Sequence, residues 1–276
     1  FAFTSDVIKR CVTEQAAHDG IEYVDELTGL WCDAPSISTP DLKYFKNLKR
    51  LSIYGIETYS GINPLDFSQI EQLGLYSVKF DGFEIHLLPN LTELRIEWAR
   101  NFTQLDLSAN TKLEDLYIEE TPISDITFGH LPELRILFLH LGYTGHPRIE
   151  PTVDHIPFNE FPNLEEAKVW SFPLKELDVQ NLNQLKKLWI MGGNFTQATV
   201  IGDALIELNI YVTKLQSFDV SHLPSLKSLL LNDNKISEIN LDSASNLELI
   251  EIRSNPLTEE TKQYLNSLPS RIEVKY

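Results

Sequence analysis

The sequence predicts an α/β solenoid, mostly β, in which one short strand per coil stacks into a parallel sheet and a helix closes each end. Three observations carry that reading. An apolar residue recurs at Leu27, Leu48, Ile70, Leu91, Leu113, Leu134, Leu164, Leu185, Leu205, Leu226 and Leu247, at intervals of 20 to 22 residues apart from one of 30. Each recurrence opens a short segment that alternates apolar and polar residues, as in LTELRIEW and LEDLYIEE. Such alternation marks a strand with one buried face. Finally, Leu226, Leu229, Leu231, Asn234 and Ile236 take positions 1, 4, 6, 9 and 11 of one coil, and Leu247, Ile250, Ile252, Asn255 and Leu257 repeat them 21 residues later.

The order L-x-x-L-x-L-x-x-N-x-L is the signature of a leucine-rich repeat. One such coil cannot bury its apolar face alone, but a stack shares a continuous core. The chain, residues 1–276, therefore reads as a single repeat domain. Residues 1–26 form an N-terminal helical cap, 27–257 eleven repeats of about 21 residues, and 258–276 a C-terminal cap. The returning halves, such as FTQLDLSANTKL and ISDITFGHLPEL, align and alternate as well, which predicts short strands or extended turns rather than full helices. Asparagine fills position 9 only at Asn234 and Asn255. Ile56, Val78, Ala99, Thr121, Gly142, Phe172, Gly193 and Thr213 stand there in the second to ninth coils. A continuous side-chain ladder is absent, and a less regular middle is expected.

Taken in order, residues 5–20 read as an amphipathic helix capped by Ser5 or Asp6 and ended by Gly20, with Val7, Ile8, Cys11, Val12 and Ala16 on one stripe. Cys11 and Cys32 are the only cysteines. Cys32 takes position 6 of the first coil and points inward, so a bridge from Cys11 would fasten the cap to the first strand. It would close a loop of about 20 residues and contribute about 3 kcal/mol. The alternative is a pair of buried free thiols. A bridge implies an oxidising compartment, and an extracellular, cell-surface or periplasmic location is expected. The start at Phe1 fits a processed secretory chain and a cloning boundary equally well.

An insertion near 142–153, roughly GYTGHPRIEPT, follows the sixth strand and so falls on the rim of the sheet. Insertions there commonly belong to the binding side, and a tolerated insertion without a role fits too. His140, His146, His155, Glu150 and Asp154 gather around it but match no recognised metal-ligand spacing. No metal or cofactor is expected. Beyond Leu257, Thr258 starts a helix with acids in its first turn. Tyr264, Leu265 and Leu268 are expected to pack on the last coil, with Ile272 and Val274 in a closing strand.

Forty acids against 23 bases give a net charge of −17, with no basic stripe. That argues against nucleic acid and anionic membrane surfaces as partners. No run approaches the roughly 18 apolar residues of a membrane span. The charge keeps an elongated body in solution, and a monomer is expected. Gly-x-Ser-x-Gly, His-Glu-x-x-His, P-loop and Gly-x-Gly-x-x-Gly motifs are all missing, so the chain is not expected to be an enzyme. Glu97 and Glu119 are neighbours in the stack and would meet a glycosidase carboxylate spacing by geometry alone, a weak signal.

Positions 5, 7 and 8 of each coil are free of core duty. They hold Trp31, Tyr54, Tyr76, Glu97, Trp98, Tyr117, Glu119, Phe138, His140, Trp170, Trp189 and Tyr211, and these are the candidate partner-binding residues. All four tryptophans fall among them. Large outward aromatics are typical of binding hot spots. The alternative is that the rings cover one another as cross-strand pairs and only stiffen the sheet. The aromatic and acidic mixture suits a partner with a basic rim and an apolar centre. A protein partner is expected, with a carbohydrate stacked on the rings as the second reading. On this view alanine at Trp170 and Trp189 weakens binding at little expense in stability.

Nearly the whole chain resembles the secreted bacterial leucine-rich repeat proteins, including the internalin-like group. The resemblance rests on the repeat, on the cap ending in ELTGLWC and on the terminal SNPLTEETKQYL. It implies a right-handed curved solenoid that binds partners, usually proteins, on a concave sheet. The scarcity of asparagine at position 9 departs from the internalins proper.

Overall fold

Every residue at positions 1, 4 and 6 of the coils, from Leu27 to Ile252, is at most 3% exposed. The leucine spacing thus does what its period requires: each coil buries three apolar side chains against its neighbours. The computed structural model that shows this describes residues 6–33, 36–37, 44–55, 58–59, 64–79, 83–141 and 152–276. It falls into two compact units, residues 1–132 with 141–151, and residues 133–140 with 152–276.

In the first unit the strands Gly29–Asp33, Arg50–Tyr54, Gln72–Tyr76, Glu93–Glu97 and Asp115–Glu119 pair in parallel, each with the next coil's strand. In the second unit Ile136–His140, Glu166–Trp170, Lys187–Met191, Glu207–Tyr211, Ser228–Leu230, Leu249–Glu251 and Glu273–Lys275 do the same. Register is constant: position 3 faces position 3, so like positions form columns. One backbone contact enforces it. The carbonyl at position 2 accepts from two successive amides of the next coil, as Thr28 does from Lys49 (2.8 Å) and Arg50 (3.0 Å).

The returning halves contain short strands such as Gln104–Asp106 with Asp125–Thr127 and Leu177–Val179 with Ala198–Val200, together with 3₁₀ turns at Ile85–Leu87 and Phe158–Glu160. These are the short strands and extended turns that the alternating sequence implied.

Both caps form. The N-terminal helix runs Asp6–Asp19 and buries Ile8, Cys11 and Val12. Cys11 and Cys32 are joined in a disulfide with their Cα atoms 5.3 Å apart. The C-terminal helix runs Glu259–Ser267, and the Thr258 side chain accepts from the Thr261 amide at 3.1 Å. Leu265 is buried, and the strand Glu273–Lys275 follows.

Position 9 behaves differently from the expectation of a less regular middle. Val78, Ala99 and Phe172 are buried, and their coils keep full five-residue strands. The coils holding Asn234 and Asn255 have strands of only three residues. Packed side chains and the position-2 carbonyl therefore suffice to set register. Where asparagine is present it serves the turn. The Asn234 amide, 1% exposed, donates to the carbonyls of Ile210 (2.7 Å) and Leu231 (3.0 Å), and its oxygen accepts from the Thr213 amide and hydroxyl.

Position 8 carries a feature that the sequence pattern alone does not announce. Gly55, Ser77, Trp98, Glu120, Ser171, Gly192, Val212, Asp233 and Ser254 all have positive φ, between 47° and 90°. The left-handed residue turns the chain out of the sheet while its amide extends the ladder, as in Trp98 N–H to the Glu119 carbonyl at 3.0 Å. Glycine suits that turn and aspartate tolerates it, while the serines there carry a backbone cost. A tryptophan or a β-branched valine there is strained.

Candidate functional site

The first unit presents a column of rings. Trp31, 60% exposed, lies parallel to Tyr54 with centroids 5.0 Å apart and planes 4° from coplanar. Tyr54 continues onto Tyr76 at 4.2 Å and 6°. These residues come from positions 5, 7 and 7, so they are not one vertical column in the sequence. Gly74 explains how the rings reach one another. The Tyr76 ring folds back along its own strand over Gly74, where an added Cβ would meet the ring Cε2 at 2.5 Å. The empty position 5 of that coil is the seat of the ring.

Arg95 continues the face. Its guanidinium lies 4.3 Å from the centre of the Tyr117 ring and bonds Glu97 at 3.2 Å. Tyr117 donates its hydroxyl to Glu119 at 2.7 Å. Glu97 and Glu119 are direct register partners. Burial pushes the Glu97 carboxyl above its ordinary range and the Glu119 charge adds to that, against the pull of Arg95. Glu97 is only 8% exposed, so this carboxylate is tucked beneath its neighbours rather than displayed. Burial likewise raises Tyr76 and Tyr117 to about 12. Trp98 follows Glu97 at the left-handed position, 47% exposed.

In the second unit Trp170 receives Phe138 and His140 edge-on, at 5.3 Å and 5.7 Å. The Lys168 ammonium sits 4.6 Å from the centre of the Trp189 ring and pairs with Glu166 at 2.5 Å. The buried Asn209 amide, turned with its oxygen toward the indole, accepts from Trp189 Nε1 at 3.2 Å. Met191 pairs in register with Tyr211, whose phenol is raised by burial. Trp170 and Trp189 are half-buried by these neighbours. Their replacement by alanine would remove packing as well as any contact surface, so the sequence-based expectation of unchanged stability needs revision for this pair.

None of the four tryptophans is buried in the interior. Both readings of the aromatic face have support: the rings do cover one another, and Trp31 and Trp98 remain largely open. The sequence pointed to the rings but missed the groups that arrange them. Those are Arg95, Lys168, Asn209 and Gly74, all at position 5 of their coils, and the left-handed turn at position 8. The recurrence of glycine and serine at position 8 was the available signal for the turn.

Of the residues around the insertion, His146 and Glu150 lie outside the described residues. His155 pairs with Glu176 at 3.1 Å and Asp154 with Lys175 at 2.5 Å. Among the described residues no three acidic, histidine or cysteine side chains are placed to hold a metal ion, and no helix is long and apolar enough to cross a membrane.

Neither a scan of protein-family models nor a search of curated proteins returns a match. Solved structures do. A leucine-rich repeat protein of Leptospira interrogans superposes with a TM-score of 0.67 at 19% identity, over 86% of this chain and 62% of its own. The functional domain of InlJ from Listeria monocytogenes, which includes a cysteine ladder, gives 0.59 at 18%, over 86% of this chain and 56% of its own. The chain thus spans less than two thirds of the length of either. An octameric complex of Latrophilin 3, Unc5D and FLRT2, the last through its leucine-rich repeats, gives 0.60 at 15%, over 89% of this chain and 80% of the matched one. Identities this low speak to architecture, and the architecture is that of the leucine-rich repeat proteins, bacterial internalins among them.

Proposed function

We propose that this chain is a non-catalytic binding module, secreted or held at a cell surface, that recognises a protein partner with the outward residues of its strands. The observation that carries this reading is Trp98. It occupies a left-handed backbone position with φ 53° and still leaves 47% of its surface open. A non-glycine residue there costs roughly 1–2 kcal/mol. Ser77, Ser171 and Ser254 make the same turn in other coils without a large ring. The serines bear the same backbone cost, so what sets Trp98 apart is its large open ring, which fits selection for contact. The Cys11–Cys32 disulfide supports an oxidising location. The FLRT2 repeats take part in a protein assembly, which is a precedent for protein recognition by this fold.

The test uses the intact chain as bait for surface proteins, beside Trp98→Ser. Specific capture by the wild type, lost in Trp98→Ser at unchanged thermal midpoint, is the expected result. Capture that survives the substitution would contradict the proposal. Carbohydrate recognition remains the second reading because parallel exposed rings such as Trp31 and Tyr54 also suit sugar faces. Enzymatic deglycosylation of the captured partner separates the two: a protein-directed contact persists.

A further inference from the structure

At the N-terminal end of the first unit lies a cavity of about 250 Å³, distinct from the Trp98 region. Trp31, Arg50, Gln15 and Ser52 wall it over a floor of Gly29 and Leu30. Three features mark it as built for a ligand. Trp31 has Tyr54 parallel on one side and 60% of its surface open. The guanidinium of Arg50 leans over Gly29, whose missing side chain makes the room: a Cβ there would stand 3.3 Å from Nε and Nη2. Among the described residues, that guanidinium makes no hydrogen bond or ion pair with any side chain, whereas Lys49 beside it is paired with Glu71 at 2.6 Å. Asp19, the acid whose charge it feels, is already bonded by His18 and Gln15.

From this arrangement we infer that the cavity takes a pyranose ring bearing a single carboxylate, such as a uronic acid. The open tryptophan offers a flat apolar face to the ring. Arg50 offers a planar fork matched to a carboxylate. Ser52 and the amide oxygen of Gln15, whose nitrogen is bonded to Asp19, supply neutral groups for hydroxyls. A neutral sugar would leave the guanidinium, which only feels Asp19 from a distance, without a directly bonded carboxylate in a partly closed cavity. An aspartate or glutamate side chain has no face to lay on Trp31. A phosphate would bring more charge than one arginine offsets on a chain of net charge −17.

The experiment titrates the intact protein with methyl β-glucuronide, methyl β-glucoside and acetate, followed by calorimetry and ligand-observed NMR. The glucuronide should saturate with a Kd on the order of 1 mM. The glucoside should bind about tenfold more weakly, the increment expected of a charge-assisted hydrogen-bonded pair. Arg50→Gln should bring the glucuronide down to the glucoside level. Gly29→Val, which fills the floor, should abolish both while the thermal midpoint shows the fold intact. Equal binding of the two glycosides, acetate competing as well as the glucuronide, an unaffected Arg50→Gln, or no saturable binding would each overturn the inference. An oligosaccharide ending in glucuronate adds the last arm. Binding as tight as the methyl glycoside assigns a glycan terminus, and its exclusion assigns the free sugar acid. None of these outcomes depends on the Trp98 test, so the two readings stand or fall separately.

Discussion

Gly74→Ala should break the ring column while leaving the core untouched. The added Cβ would stand 2.5 Å from Tyr76 Cε2, 2.9 Å from its hydroxyl and 3.0 Å from Cζ, so the ring must leave its seat. Two effects on stability oppose each other. Alanine in a strand gains about 0.5–1 kcal/mol over glycine. Losing the Tyr54–Tyr76 stack forfeits about 0.5–1.5 kcal/mol beyond area burial. The net change should lie within about 1 kcal/mol of zero, a shift of roughly 2–4 °C at most. The phenol reports the movement. Burial holds Tyr76 at about 12 against an ordinary 10.0, and a displaced ring regains water. A raised phenol stabilises the fold fully below pH 10, and that contribution is lost as pH climbs through 12. The assay is phenolate absorbance against pH, with Tyr76→Phe to assign the step. In Gly74→Ala one tyrosine should titrate nearer 10. A titration curve superimposable on the wild type would show that Gly74 is not the seat of the ring.

Other substitutions probe the frame. Asn234→Ala removes the donor to the buried Ile210 carbonyl and the acceptor of the Thr213 amide, while Asn255 still donates to the Leu231 carbonyl at 2.8 Å, and should lower unfolding stability in urea by about 2 kcal/mol or more. Reduction of Cys11–Cys32 should remove about 3 kcal/mol, with the loss of order read first at Trp31 by its fluorescence, since that residue adjoins Cys32. Glu97→Gln should raise the thermal midpoint modestly at neutral pH. The raised carboxyl favours the fold when protonated and loses that contribution as pH rises through its folded value, so the gap to wild type should close in acid.

The frame was legible because its cause is periodic. Leucines every 21 residues have one economical use, and the strands, caps and disulfide followed from position within the coil. Which side chains face outward was legible for the same reason. How they meet was not. Tyr76 bends from position 7 into the space of position 5 because Gly74 leaves it empty, a contact between residues two apart that alternation places side by side but does not join. Glu97 reads as an exposed acid, yet Arg95 and the rings around it bury the carboxylate. Trp170 and Trp189 read as free surface, yet Phe138, His140, Lys168 and Asn209 close around them. Strand periodicity assigns a face; only the sizes of neighbours decide what remains open on it. The left-handed turn at position 8 escaped because leucine-rich patterning is read from its apolar positions, and this one holds a large apolar residue only at Trp98, Leu141 and Val212.

The most direct test compares two exposed apolar residues from different coils, one at the strand and one in the returning half. Trp98 stands at the end of a sheet strand, and Leu65, 60% exposed, lies in a 3₁₀ turn of a returning half. The affinity of the captured partner should fall by at least about 2 kcal/mol, a hot-spot loss, with Trp98→Ser. Leu65→Ser should leave it unchanged. Equal losses from both substitutions, or a loss from Leu65→Ser alone, would contradict recognition by the outward residues of the strands.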